Sequence, residues 1–126
     1  MEKRIQESET RQFKAIFPHT LNANNTLFGG LVMQWMDEVA YITATRLTRQ
    51  KMLTVKADKI KFLKAVNPDS IIEIVGKVEE AGAVKVHIRV VVFTEEMYGS
   101  KREKAIESHF VFAQFNDQQK PTRIKY

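Results

Sequence analysis

Apolar residues recur at helical spacing in one long stretch of this chain, and at period two almost everywhere else. With successive positions placed about 100° apart, Phe28, Leu31, Val32, Trp35, Met36, Val39 and Thr43 fall on one stripe, which predicts a helix from about Phe28 to about Leu47. Phe13, Ala15 and Phe17 alternate and predict a first strand over 10–17, ended by Pro18. Residues 53–66 predict a long strand whose apolar register passes from Val55 and Ala57 to Ile60 and Phe62, a phase change that places a bulge near Asp58. Asn67-Pro68-Asp69-Ser70 is a turn. Beyond it, 71–80 and 84–94 flank Ala81-Gly82-Ala83 and predict an antiparallel hairpin in which Val84, Val86, Ile88 and Val90 face one way. Gly99 tips a charged connection to a last strand over 105–115, and the tail from Asn116 is polar. One strand, a long helix and four more strands predict an α+β fold, a five-stranded antiparallel sheet curved around one central helix. Trp35 and the phenylalanines are expected in its core.

The helix carries a carboxylate, Asp37, nearly opposite its apolar stripe. Its neighbours on that side are Gly30, Met33, Tyr41 and Ala44, and only Gln34, Glu38 and Thr45 form a narrow polar strip. A helix apolar on almost every side is buried on almost every side. Something besides its own sheet must therefore cover the Asp37 face, and a second copy of the chain, with the two helices close across a two-fold interface, is the simplest completion. A carboxylate held there needs a hydrogen-bond partner, a shifted pKa or a catalytic task.

Composition narrows the chemistry. At 126 residues the chain makes a single domain over 1–126, long enough to bury roughly 65% of its unfolded surface. It has no cysteine, which removes disulfides, thiolate metal sites and cysteine nucleophiles and is compatible with a cytoplasmic setting. No apolar leader and no membrane-spanning stretch is visible. The net charge of +5 raises a nucleic-acid partner. Yet Lys51, Lys56, Lys59, Lys61 and Lys64 largely alternate with apolar residues, as a strand's polar face does, and no aromatic-interleaved basic motif occurs. No nucleic acid is expected, and a phosphate-bearing small molecule fits the charge equally well. No pair of histidines or carboxylates has metal-ligand spacing, so no metal is expected. His87 and His109 fall in strands and read as structural, and His19 as a loop residue.

Asn22, then Phe28-Gly29-Gly30, then Met33 and Met36-Asp37-Glu38, with Asp37 seven residues after Gly30, resemble the signature of the short, single-domain acyl-CoA thioesterases of the hot dog fold, related to the cytosolic acyl-CoA hydrolases. Val55, Asp58, Ile60 and Phe62 resemble the family's strand after the helix, and the match spans most of the chain. The resemblance implies the hot dog fold and hydrolysis of acyl-CoA to free acid and CoA without a cofactor. It further implies cytoplasmic lipid metabolism and a homo-oligomer, a dimer built into a trimer of dimers, in which Asn22 and Asp37 meet across the interface, one from each protomer.

Thioester hydrolysis needs an activated water and a stabilised oxyanion. Asp37 suits the base, or the nucleophile through an anhydride. The Gly29-Gly30 helix start presents unpaired N–H groups at the positive end of the dipole, open to a thioester oxygen. Asn22 offers both donor and acceptor groups to orient water or carbonyl, with turn chemistry as its plainer role. Met33 and Phe62 are expected along the acyl path, and Lys64 and Lys85 at the phosphates of CoA. Asn25 stands where many relatives have Gly and is the residue that best replaces it in a left-handed turn. Ala83-Val84-Lys85 replaces a Ser- or Thr-rich run of the family. A domain that binds and senses acyl-CoA without hydrolysing it is the alternative, and Asp37 argues against it.

Overall fold

In the computed structural model, which describes residues 1–126, the long helix forms as α2, Gly29–Thr48. It ends at Arg49, whose left-handed φ of 55° lets its N–H bond back to the Thr45 carbonyl. A short helix α1, Glu2–Ser8, precedes it and was not legible, because its only large apolar residue is Ile5. Docking holds it instead: Arg46 donates to the Glu7 and Glu9 carbonyls, and Arg4 to that of Leu47.

The strands are β1 (Thr10–Ala15), β2 (Leu53–Phe62), β3 (Ser70–Ala81), β4 (Lys85–Glu96), β5 (Arg102–Phe115) and the two-residue β6 (Pro121–Thr122). All pairings are antiparallel, in the order β1-β3-β4-β5-β2, with β6 added on β5. The sheet thus has six strands rather than five, since two residues are too few to leave a period. The polar tail that contains β6 also buries Ile124 in the core. The bulge falls where the phase change put it: the β2–β5 register slips between Asp58 and Lys61, with Lys59 at a φ of 54°.

One face of the sheet packs on α2, with Ile72, Ile74, Val86, Ile88, Val90, Phe110 and Phe112 against Val32, Met36, Val39 and Leu47. Gly76 of β3 lies under the helix, where an added Cβ would stand 2.5 Å from Thr43 Oγ1. The buried arc of α2 also includes Ala40, Ala44 and Thr48. It is therefore rotated from the expected stripe toward Asp37, which flanks the arc instead of opposing it, while Phe28 is 56% exposed. The first strand departs in a similar way. Phe13 and Phe17 are exposed and Ile16 is buried, because Phe13 pairs with Glu73 on the sheet's outer face.

Strand β2 is a sheet edge, exposed along its whole length except at Asp58. A long edge with Leu53 and Phe62 in the open invites pairing with another chain.

The outer face is held by charge. Glu73 takes Arg102 and Arg11 at 2.5 and 3.2 Å, and Glu107 takes Arg89 and Lys104 at 2.7 and 2.9 Å. Burial pushes the Glu73 carboxyl up, but hydrogen bonds from Arg102 and Arg11 outweigh it and leave the group below its usual value. The Lys104 hydrogen bond, then that of Arg89, brings Glu107 down to about 2. Both folded-state values lie below the unfolded carboxylate range. Their contribution to stability is therefore complete above that range and is lost as the pH falls through the folded values. Glu73→Gln is expected to lower the melting temperature at neutral pH and to flatten its decline as the pH falls through and below the usual carboxylate range. Thermal scans across that range check it, and an acid limb parallel to the wild type would remove Glu73 from the linkage.

Candidate active site

The loop before α2 is built by Asn22. Its Oδ1 accepts from the N–H groups of Asn24 and Thr26 at 2.9 and 3.1 Å, and its Nδ2 donates to Thr26 Oγ1 at 3.0 Å. Its backbone N–H bonds to the Thr26 carbonyl at 2.8 Å, and Asn25 takes the left-handed conformation at a φ of 60°. The turn role is therefore real, and what Asn22 retains for a ligand is the second hydrogen of Nδ2. Asn22→Ala is expected to speed amide exchange at Asn24 and Thr26 by about tenfold, the scale of one lost hydrogen bond. Unchanged exchange would mean that the backbone alone holds the loop.

At the start of α2, Phe28 caps the helix with no side-chain bond. The N–H groups of Gly29 and Gly30 have no backbone acceptor, as expected for a first turn. Neither glycine has a positive φ, so their value here is space. A Cβ on Gly30 would stand 2.9 Å from the Phe28 ring, and one on Gly29 would stand 3.8 Å from the Phe62 ring. Asn22, Gly29, Phe62 and Lys64 line one groove of about 370 Å³, floored by Leu27, Val32 and Ile106. Four of the expected site residues thus come together, with open amides above an apolar floor.

The other four lie elsewhere. Gly30 sits beside Phe28, and Met33 is half-buried against the core. Lys85 stands at the far end of the sheet, level with Leu53 across their common β5 partner Ala113. Asp37 is eight residues along α2 from Gly29, roughly 12 Å at the helical rise, and does not line the groove. It is half-buried rather than buried. Its partner is Thr54, whose hydroxyl donates to Asp37 Oδ1 at 2.8 Å and leaves Oδ2 free. Thr54 was missed because nothing in the sequence reveals which strand position faces a given turn of the helix.

His87 and His109 do have partners: Asp58 Oδ1 lies 2.8 Å from His109 Nδ1, and His109 Nε2 lies 3.1 Å from His87 Nδ1. The His109 hydrogen bond, with Lys56 beside it, holds the Asp58 carboxyl below its usual range. This chain ties β2, β5 and β4 together on the outer face, away from Asp37. A larger groove, about 480 Å³, also opens on that face among Arg11, Arg89, Arg102 and Lys104. Its lining includes neither a nucleophile nor a general base, so volume alone does not mark the reacting site.

Residues 24–100, which hold the α2 start, Asp37 and Thr54, match the family model described as Thioesterase superfamily. Over 118 residues the chain is 30% identical to the uncharacterized acyl-CoA thioester hydrolase YkhA of Bacillus subtilis, covering 94% of this chain and 69% of that protein. The acyl-CoA hydrolase of Staphylococcus aureus, solved with butyryl coenzyme A, coenzyme A and coenzyme A disulfide, superposes with a TM-score of 0.86 at 28% identity, over 95% of this chain and 73% of that one. A hexameric thioesterase from Yersinia pestis gives a TM-score of 0.82 at 26% identity, over 91% and 93%. The S. aureus enzyme has also been solved with an Asn, an Asp and a Thr each replaced by Ala, the Asp fifteen positions after the Asn and the Thr seventeen after the Asp. Asn22, Asp37 and Thr54 stand at these same intervals. Fold, element order and the match across the helix start agree, and this chain belongs to the thioesterase superfamily.

Proposed function

We propose that this protein hydrolyses acyl-CoA to the free acid and CoA. The observation that carries the reading is the Asp37–Thr54 pair: a carboxylate with one oxygen pinned and the other free, on a helix face its own sheet leaves open. Its spacing from Asn22, shared with the three positions replaced in the S. aureus hydrolase, supports the same assignment. Thr54 orients the carboxylate. Oδ2 then takes a proton from the attacking water, or attacks the thioester carbon itself to form an anhydride that water opens. The Gly29 and Gly30 amides, and the spare Asn22 N–H, receive the negative charge that builds on the carbonyl oxygen. Thiolate CoA departs and is protonated. Water is the only co-reactant.

Within one chain Asp37 and the Gly29 groove are too far apart to hold the same thioester. A two-fold pairing through the exposed β2 edge, with the helices side by side, would bring Asp37 of one protomer to the groove of the other. The uncovered Leu53, Phe62 and Tyr41 support this arrangement, and the hexameric Y. pestis relative supports three such dimers in a homo-oligomer. No helix is long and apolar enough to cross a membrane. A cytoplasmic role in acyl-lipid metabolism is part of the reading, supported by the cytosolic acyl coenzyme A thioester hydrolases of rat and mouse, which are 25% identical.

Free-thiol release from acyl-CoAs of increasing chain length tests the proposal. Release on at least part of the panel is the expected result. Binding without release across the panel would overturn it in favour of an acyl-CoA sensor.

A further inference from the structure

Edge strand β2 is held less firmly than its length suggests. Its one neighbour in the sheet is β5, and the ladder between them slips twice, between Thr54 and Lys56 and between Asp58 and Lys61. Only Lys56, Ala57 and Asp58 stand in register between the slips. Side chains of β5 fasten the strand there: His109 Nδ1 lies 2.8 Å from Asp58 Oδ1, and Ser108 Oγ donates to the Asp58 carbonyl at 3.2 Å. His87 Nδ1, 3.1 Å from His109 Nε2, carries the tether on to β4. Thr54, whose hydroxyl pins Asp37, is four residues from Asp58 along the same strand. The orientation of Asp37 thus depends on a strand that these three side chains help to hold.

The tether has room for a limited number of protons. An ionised Asp58 has no hydrogen to give, so His109 Nδ1 carries one and donates it. The other nitrogen of His109 then faces Nδ1 of His87, and a hydrogen bond between two nitrogens holds one proton. With both imidazoles neutral, His87 Nδ1 donates and His109 Nε2 accepts. One added proton enters at His87 Nε2, which no hydrogen bond occupies, and the link survives as a charge-assisted bond. A second added proton must go to His109 Nε2, the acceptor itself. Both facing nitrogens then carry hydrogen, the bond is lost, and two imidazolium rings are left stacked with centroids 5.1 Å apart.

Charged groups from four strands face the pair. They are Lys56, Lys59 and Lys61 of β2, Glu79 and Glu80 of β3, Arg89 of β4 and Glu107 of β5. Arg89 and Lys104 take up Glu107. Glu79 and Glu80, the latter directly across the ladder from His87, are therefore the carboxylates that draw protons on to the rings, and the three lysines oppose them. We infer that Asp58, His109 and His87 form a proton-sensitive clamp that positions Thr54, and through it Asp37, and that opens when the second proton enters. All three are positioning residues, on the outer face and remote from the reacting atoms.

The chain has three histidines, and His19, stacked on Phe17 in the loop before α2, supplies an internal reference for an imidazole titration followed by NMR. Between about pH 8 and pH 4, a range that brackets histidine ionisation, His19 is expected to titrate alone in one step, and His87 and His109 together in two coupled steps. Independent single steps for His87 and His109 overturn the inference without any variant being made. Over the second coupled step, amide exchange at residues 54–58, corrected for its intrinsic pH dependence, should rise by about tenfold, the scale of one lost hydrogen bond. Level exchange in the wild type also overturns the clamp. His87→Gln places an amide there that bonds to His109 without ever charging. In that variant exchange at 54–58 should stay level, and the acid fall of kcat should move to lower pH while the affinity for coenzyme A is unchanged. A rise in exchange that survives in His87→Gln, or kcat profiles of the two proteins that coincide, overturns the inference. Only the kcat profile rests on acyl-CoA being the substrate. Titration and exchange do not, so a failure of the clamp and a failure of hydrolysis are told apart.

Discussion

Asp37→Asn is expected to lower turnover by about a hundredfold or more, the usual scale for losing a general base, while leaving the fold and the affinity for coenzyme A intact. The substitution is nearly isosteric, and an Asn carbonyl oxygen can still accept the Thr54 hydroxyl that reaches Oδ1 at 2.8 Å. What it removes is the anionic Oδ2, the oxygen that has no partner in the chain. Thr54→Val should have a smaller effect, since it leaves the carboxylate in place and only frees its rotation. The two variants together separate chemistry from positioning. Steady-state thiol release and thermal melts make the measurement, and near-normal turnover in Asp37→Asn would remove the central claim. A single turnover in ¹⁸O water tests the route: label found in the Asp37 carboxylate means an anhydride that water opens at the Asp37 side-chain carbon, whereas label in the product acid alone is the outcome of both general base catalysis and an anhydride opened at the acyl carbon.

How much of this was legible in the sequence follows from which interactions are local. The limits of α2 could be read to within a residue or so, because some twenty residues of 3.6-fold repetition average out any exception. The direction of its buried arc could not. That direction depends on Ala40 and Ala44, small residues that score weakly in a stripe yet let β-sheet side chains approach. The Asx turn of Asn22 and the left-handed Asn25 are local chemistry and were readable. Thr54 is a tertiary partner seventeen residues from Asp37, and no period connects them. Phe13 and Phe17 misled for a related reason: alternation identifies a strand's two faces, and on an edge strand with a salt-bridged outer face the aromatic side is not always the inner one. Helix α1 and strand β6 depend on docking, which leaves no pattern at all. The site was thus visible as a set of residue types, but its distribution over two places in one chain became visible only in the fold.

Gly76 carries the second large effect, and it links that fold to the site. It sits in the middle of β3 at a position where α2 crosses, and a Cβ there would meet Thr43 Oγ1 at 2.5 Å, Val39 Cγ1 at 3.0 Å and the Val39 carbonyl oxygen at 3.4 Å. None of these neighbours can move freely. Thr43 is fully buried, with its hydroxyl bonded to that same carbonyl at 2.8 Å, and Val39 is packed in the core. Gly76→Ala must therefore lift the helix from the sheet or force a rotamer, and should destabilise the protein by about 1–3 kcal/mol, the usual range for overpacking. Because Asp37 lies on the adjacent turn, the same displacement should lengthen its bond to Thr54 and lower turnover in the fraction that remains folded. Thr43→Ala removes the closest obstacle. If the collision is the cause, the double variant should be more stable than the sum of the two single effects by about 0.5 kcal/mol or more, the coupling expected of residues in contact. Denaturant melts of the four proteins supply the cycle. Strict additivity would mean that Gly76 matters for something other than the closeness of helix and sheet, and that the position of Asp37 is set elsewhere.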